Sequence, residues 1–166
     1  MIHPFDILTL NNGAKLIFTP CPGTKGPSVS DSLNALKAAG AQIVVTMMTQ
    51  HDLVEHQADS IPVLCEELGM AWYHLPIEDG CAPEEPFAQA FAVHKTALLN
   101  AVKAGATMVI HCHGGSGRTS LMAAILMLEL GYASTQVKTQ IQQIRPKALT
   151  SPVQVNYLIE QYAYES

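Results

Sequence analysis

Thr107-Met108-Val109-Ile110-His111, followed by Cys112-His113-Gly114-Gly115-Ser116-Gly117-Arg118-Thr119 and then by the apolar stretch from Ser120 to Leu130, is the passage on which the reading of this chain turns. A short β-branched apolar run suits a strand buried on both faces; a glycine-rich turn follows it, and an apolar helix leaves the turn. A cysteine at the end of a buried strand with an arginine six positions on, opening a helix, is a demanding arrangement. Gly114, Gly115 and Gly117 let the backbone curl so that the N–H groups from His113 through Ser116 to Arg118 converge, and the helix adds its positive N-terminal end. Such a nest binds a phosphate dianion, and the same field favours the thiolate of Cys112 as a nucleophile. Arg118 can hold two phosphoryl oxygens with its planar fork and stabilise the equatorial charge of a transition state, which a lysine point charge does less well. Thr119 is placed to donate its hydroxyl hydrogen to the cysteine sulfur, helping it leave in a second step.

Working outward, Ile7-Leu8-Thr9-Leu10, Asn11-Asn12-Gly13 and Lys15-Leu16-Ile17-Phe18 read as strand, tight turn and strand. A Pro- and Gly-rich loop covers 19–27, and Ser30 or Asp31 is expected to cap a helix through Ala39 with Gly40 at its end. Gln42 to Met47 reads as a buried strand, Ile61 to Leu68 as a helix stopped by Gly69, Ala71 to Leu75 as a strand and Pro86 to Lys103 as a long helix. Two further helices, Ser134 to Ile144 and Pro152 to Tyr162, follow the central one. Alternation of this kind predicts an α/β fold, a central, mostly parallel sheet flanked by helices on both faces. With 166 residues and 48% hydrophobic content, one domain covering 1–166 can bury its own core.

Composition removes several classes of function. The formal net charge is -5 and the nine Lys and Arg form no run, so a nucleic-acid partner is not expected. The opening Met1-Ile2-His3-Pro4-Phe5-Asp6 has no leader pattern and no window approaches the ~18 apolar residues of a membrane span. Cys21, Cys65, Cys81 and Cys112 lack paired spacing, which suits a reducing compartment; the expectation is a cytoplasmic protein without a membrane partner.

The loop resembles the H-C-x5-R-[ST] signature of the protein tyrosine and dual-specificity phosphatase superfamily, and its variant H-C-x-G-G-x-G-R is most similar to the cyclin-dependent-kinase-associated phosphatase branch. The likeness extends to Pro76-Ile77-Glu78-Asp79-Gly80 and to Ile144-Arg145-Pro146 followed by Pro152-Val153-Gln154. The resemblance implies a protein tyrosine phosphatase-like fold and a phosphocysteine mechanism: Cys112 as nucleophile, Arg118 as phosphate clamp, Thr119 as leaving-group helper and Asp79 as general acid. Spacing alone leaves Glu78 and Asp79 both open as the acid. Gln154 either positions the attacking water or caps the last helix. Neither a metal nor an organic cofactor is implied. The superfamily's phosphoinositide enzymes tend to carry lysines in the loop, whereas His113 and Ser116 stand here. That points to a singly phosphorylated substrate: phosphotyrosine, then phosphoserine or phosphothreonine, in a protein.

Competing readings have identifiable costs. A nucleotide-binding P-loop needs glycine where Cys112 stands and lysine where Arg118 stands. Rhodanese-type loops are, by resemblance, one residue shorter before the basic position. A phosphatase of a small metabolite, nucleotide or lipid, or a silent phosphate-binding module, shares the nest and is separated only by turnover. Along an extended strand His111 and His113 would project away from Cys112, which argues against a metal site; His111 orienting the loop and His113 touching substrate stand beside plain structural roles. His51 and His56 read as surface residues, Trp72 as core, and His3, His74 and His94 have no nameable partner. Cys65 and Cys81 are inert thiols or resolving thiols for an oxidised Cys112.

Overall fold

The computed structural model describes residues 1–166. Strands β1 (Asp6–Thr9), β2 (Lys15–Thr19), β3 (Ile43–Thr46), β4 (Ala71–His74) and β5 (Thr107–His111) form one sheet in the order β1-β2-β5-β3-β4. Only the β1–β2 hairpin is antiparallel; β2, β5, β3 and β4 run parallel. The helices are α1 (Val29–Ala38), α2 (Gln50–Glu55), α3 (Ile61–Glu67), α4 (Glu85–Lys103), α5 (Gly117–Glu129), α6 (Ser134–Ile144) and α7 (Pro152–Tyr162).

The alternation of strand side chains decides which helix packs where. Leu16, Phe18, Val45, Met108 and Ile110 join the larger buried cluster with Phe87, Phe91 and Leu98 of α4, Leu121 to Met127 of α5, Val137 and Ile141 of α6 and Leu158 of α7. Ile17, Val44 and Val109, one residue out of phase, join the smaller cluster with Leu33 and Leu36 of α1, Leu53 of α2 and Ile61 and Cys65 of α3. The sheet is thus covered on both faces, which is why its central strands are continuous apolar runs. Helix α5 is buried from Arg118 to Met127, the middle rod of its layer.

One reading is corrected and one helix is added. The cap of α1 is Ser28, whose hydroxyl accepts from the Asp31 amide at 3.0 Å, rather than Ser30 or Asp31, which lie inside the helix. Helix α2 went unread because its polar sequence Gln50-His51-Asp52 hides a single buried anchor, Leu53. Trp72 packs, half-buried, against the smaller core cluster as expected, and its indole Nε1 also donates to Thr46 Oγ1 at 2.8 Å.

β5 lies between β2 and β3, so the chain must cross it to pass from β2 to β3. The crevice outside the carboxyl ends of such strands is where open α/β sheets bind ligands. The four segments leaving β2, β3, β4 and β5 all meet there.

Candidate active site

Cys112 follows β5 directly, and its Sγ lies within the turn that leads into α5. The sulfur accepts from the Gly115 amide at 3.3 Å and from the Thr119 hydroxyl at 3.2 Å. Only 3% of the residue is exposed. Of the three glycines in the turn, Gly115 is the one the backbone demands: its φ is +78°, and a Cβ there would lie 2.5 Å from the Thr19 carbonyl carbon. Gly114 faces open space, and a Cβ on Gly117 would only touch Gln154. The turn is therefore wedged against the segment that follows β2, and the Cys21 amide binds the His113 carbonyl at 2.9 Å.

Arg118 opens α5 with 3% exposure. Its Nη1 donates to the Ile77 carbonyl at 3.0 Å and to Asp52 Oδ2 at 3.2 Å, while Nη2 stands 3.7 Å from Asp79 Oδ1. Two strand-end segments, those after β3 and β4, thus orient one guanidinium. Asp52 was missed by sequence reasoning; the signal was Thr49 three residues earlier, whose hydroxyl caps α2 by accepting from the Asp52 amide at 3.1 Å.

The two neighbouring carboxylates part company. Asp79 lines the cleft beside Ser116, Gly117 and Arg118, whereas Glu78 lines a different hollow with Thr49, Pro76 and Pro86. Gln154 does not cap α7, whose N-cap is Ser151; it is 8% exposed and lines the same cleft as Asp79, with its Nε2 beside Gly117.

The histidines also separate. His111 is fully buried, and burial pushes its pKa down to about 4, so the ring is neutral near pH 7. Its Nδ1 lies 3.1 Å from the Cys112 carbonyl and must donate there; Nε2 is then an acceptor for the Thr46 hydroxyl at 2.7 Å, which in turn accepts from Trp72. One proton order follows, Trp72 to Thr46 to His111 to the Cys112 carbonyl. His113 lies beyond the end of β5, so strand alternation does not govern it; it stacks on His56 with centroids 4.1 Å apart. Partial burial, then His56, Lys25 and Arg118, lower its pKa against the opposing pull of Asp79. His56 is accordingly half-buried and next to the loop, while His51 is exposed as expected. His3, without a foreseen partner, binds Thr19 Oγ1 at 2.6 Å, and His74 binds the Met48 carbonyl at 2.7 Å. Cys65 sits in the smaller core cluster with its pKa raised to about 12 by burial. Cys21 is the thiol that feels Cys112: burial first, then the Cys112 charge, raise its pKa to about 12.

A comparison with known families matches residues 15–141 to Cyclin-dependent kinase inhibitor 3. The chain belongs to this family. Its curated relatives include Cyclin-dependent kinase inhibitor 3 of Rattus norvegicus, 29% identical over 146 residues that cover 84% of this chain and 68% of the rat protein. The Sus scrofa protein of the same name is 31% identical over 147 residues, covering 84% of this chain and 68% of its own. Among solved structures, a kinase associated phosphatase with serine in place of its catalytic-site cysteine superposes with a TM-score of 0.85 at 24% identity, covering 100% of this chain and 99% of that one. The α/β fold expected from the sequence is that of the tyrosine and dual-specificity phosphatases. Family and fold are those of cysteine-dependent phosphatases, which are phosphoric monoester hydrolases. No helix is long and apolar enough to cross a membrane.

Proposed function

We propose that the chain hydrolyses phosphomonoesters on proteins through a phosphocysteine intermediate, with phosphotyrosine as first substrate class and phosphoserine or phosphothreonine behind it. The observation that carries the reading is the Cys112 sulfur, held by Gly115 and Thr119 beside a buried Arg118 whose orientation is set by Ile77 and Asp52. In the first step Cys112 Sγ attacks phosphorus in line, the P–O bond to the substrate oxygen breaks, and Asp79 gives that oxygen a proton. Backbone amides of the 113–118 turn and the Arg118 fork hold the equatorial oxygens as charge shifts through the transition state. In the second step water attacks the phosphocysteine, Asp79 takes its proton, and Sγ departs as a thiolate stabilised by Thr119. The buried amide of Gln154 supports a role in orienting that water. The His111–Thr46–Trp72 relay acts at one remove, by fixing the Cys112 carbonyl. The four free cysteines favour a cytoplasmic site of action, and we take 1–166 as one catalytic unit.

The test exploits the leaving group. A basic side-chain oxygen needs a proton to depart, and a positioned acid contributes ~10²–10⁴-fold, whereas a strongly electron-withdrawn phenol leaves without help. Asp79→Asn is expected to slow phosphotyrosine-peptide turnover sharply and an activated aryl phosphate far less, with Glu78→Gln affecting neither. Leaving-group dependence appearing in Glu78→Gln instead would move the acid by one residue. A panel of phosphoproteins, nucleotides, sugar phosphates and phospholipids, with Cys112→Ser as control, separates protein from small-molecule substrates.

A further inference from the structure

Gly115 is both the residue that the turn demands and the source of one of the two hydrogen bonds to the nucleophile, its N–H donating to Cys112 Sγ at 3.3 Å. A peptide that aims an amide at a sulfur has to be held from outside the turn, because Gly114 before it faces open space and Ser116 after it is exposed. Two contacts hold it. One is with the backbone of the segment after β2, where a Cβ on Gly115 would stand 2.5 Å from the Thr19 carbonyl carbon and 2.6 Å from the Pro20 nitrogen. The other is with Arg145, whose Nε donates to the Gly115 carbonyl at 2.9 Å.

Both contacts lead back to the same four residues, His3 to Asp6, which run into β1. His3 is only 1% exposed; its Nε2 lies 2.6 Å from the Thr19 hydroxyl oxygen, and that hydroxyl donates to the Pro4 carbonyl at 2.8 Å. With the Thr19 hydrogen spent on Pro4, Nε2 must be the donor, so Nδ1 carries no proton, and it is buried without a partner. Three residues on, Asp6 holds Arg145 Nη1 at 2.7 Å. Burying an imidazole with one nitrogen orphaned costs stability that an apolar side chain would not cost. A segment that needed only to be anchored would do better with leucine. What His3 supplies and leucine cannot is a donor to Thr19.

Resting on the phosphatase reading above, we propose that His3 is a positioning residue for the nucleophile: it fixes Thr19, the Thr19–Pro20 backbone holds the Gly115 peptide, and Gly115 aims its N–H at Cys112 Sγ. His3 touches neither the sulfur nor the substrate and acts through these two intermediaries. The Gly115 amide also belongs to the nest, so the brace serves the thiolate before the reaction and the phosphoryl oxygens during it. Its point of action differs from that of the His111 relay, which fixes the Cys112 carbonyl and leaves the donors to sulfur untouched.

The experiment uses the full chain with His3→Leu and Thr19→Val, which remove the hydrogen bond, and with His3→Gln and Thr19→Ser, which keep a donor at 3 and a hydroxyl at 19. Three quantities are read: the rate at which iodoacetate labels Cys112 at pH 7, located by peptide mass, kcat/KM for an activated aryl phosphate, and the urea midpoint. The first two, measured well below the urea midpoint, are expected to fall about five- to tenfold in His3→Leu and Thr19→Val and to stay within about twofold of the unmodified chain in His3→Gln and Thr19→Ser. A lower urea midpoint with labelling and kcat/KM unchanged means that His3 only ties down the chain, and overturns the proposal. Equal losses in the conservative and the disruptive variants overturn it too, since the hydrogen bond is then not the cause. Should His3→Leu fail to fold, Thr19→Val, of nearly the same shape as threonine, decides alone. Labelling needs no turnover, so an unmodified chain that hydrolyses no aryl phosphate sinks the phosphatase reading while the labelling ratio still judges His3.

Discussion

At the scale of single residues the site is a set of groups whose hydrogen bonds leave little choice of role. Cys112 accepts two hydrogen bonds at sulfur, so a Cys112→Ser change keeps the volume and the donors but replaces a thiol with a hydroxyl that does not ionise near neutral pH. Turnover is expected to vanish while phosphate binding and the thermal transition persist; activity above a few per cent would remove Cys112 from the nucleophile's place. Arg118→Lys keeps the charge and loses the fork. The lysine cannot reach the Ile77 carbonyl, Asp52 and two phosphoryl oxygens together, so kcat is expected to fall by about 10²–10³-fold. Steady-state kinetics with an activated aryl phosphate check this, since that substrate does not depend on the acid. Labelling tests the thiols: burial holds Cys21 and Cys65 at about 12, so iodoacetamide near neutral pH is expected to leave them unmodified. Inorganic phosphate is expected to protect Cys112 and not the half-buried Cys81.

At the scale of elements, each segment leaving a parallel strand does one job, and the tightest joint lies between two of them. Gly115→Ala would set a Cβ 2.5 Å from backbone of the segment after β2, at a φ of +78° that a side chain resists. A loss of about 2–4 kcal/mol in urea unfolding, with loss of phosphate binding, is expected; a stable, phosphate-binding Gly115→Ala variant would contradict the wedge. Asp52→Asn tests α2 in the same way. It removes the charge opposite Arg118 while keeping an acceptor, and about a tenfold drop in kcat/KM with unchanged stability is the expected result. These joints also mark where the sequence was legible and where it was not. The bounds of α6 and α7 were readable because periodic apolar positions, Val137 with Ile141 and Val155 with Leu158, stand between clear breaks. The nest was readable because its residues are contiguous. Asp52, His56 and the Trp72–Thr46–His111 relay were not, because each acts across tens of residues of separation, and only the crossing of β5 brings them to one place. The glycines were over-read for a similar reason: sequence shows three, and the approach of Thr19 picks out one.

At the scale of the whole molecule the buried histidine joins stability to function. His111 has an ordinary pKa of 6.5, lowered to about 4 in the fold chiefly by burial. As pH falls through about 6.5 the unfolded chain takes up this proton and the folded chain does not, so the unfolded state gains; the loss stops only near 4, where the folded form protonates too. The contribution is therefore fully present above pH 6.5 and drains away below it, by up to about 1.4 kcal/mol per pH unit. His3, whose pKa is also lowered by burial, adds in the same direction. Burial keeps the ring neutral against the upward pull of its bond to the Cys112 carbonyl, and the relay depends on that neutrality: Nε2 accepts from Thr46 while Nδ1 donates to the Cys112 carbonyl, and a second ring proton would face the Thr46 hydroxyl and break the chain. Acid should thus loosen the nest and the fold together. In urea titrations at pH 7, 6 and 5 the midpoint is expected to fall steadily, and to fall less steeply in His111→Gln, which retains an amide donor and acceptor but has no proton to take. Saturating inorganic phosphate, which binds only the folded nest, is expected to move the acid transition to lower pH in the unmodified chain through mass action. Identical slopes for the unmodified chain and His111→Gln would mean that the acid sensitivity belongs to other groups and that the relay positions Cys112 without coupling it to stability.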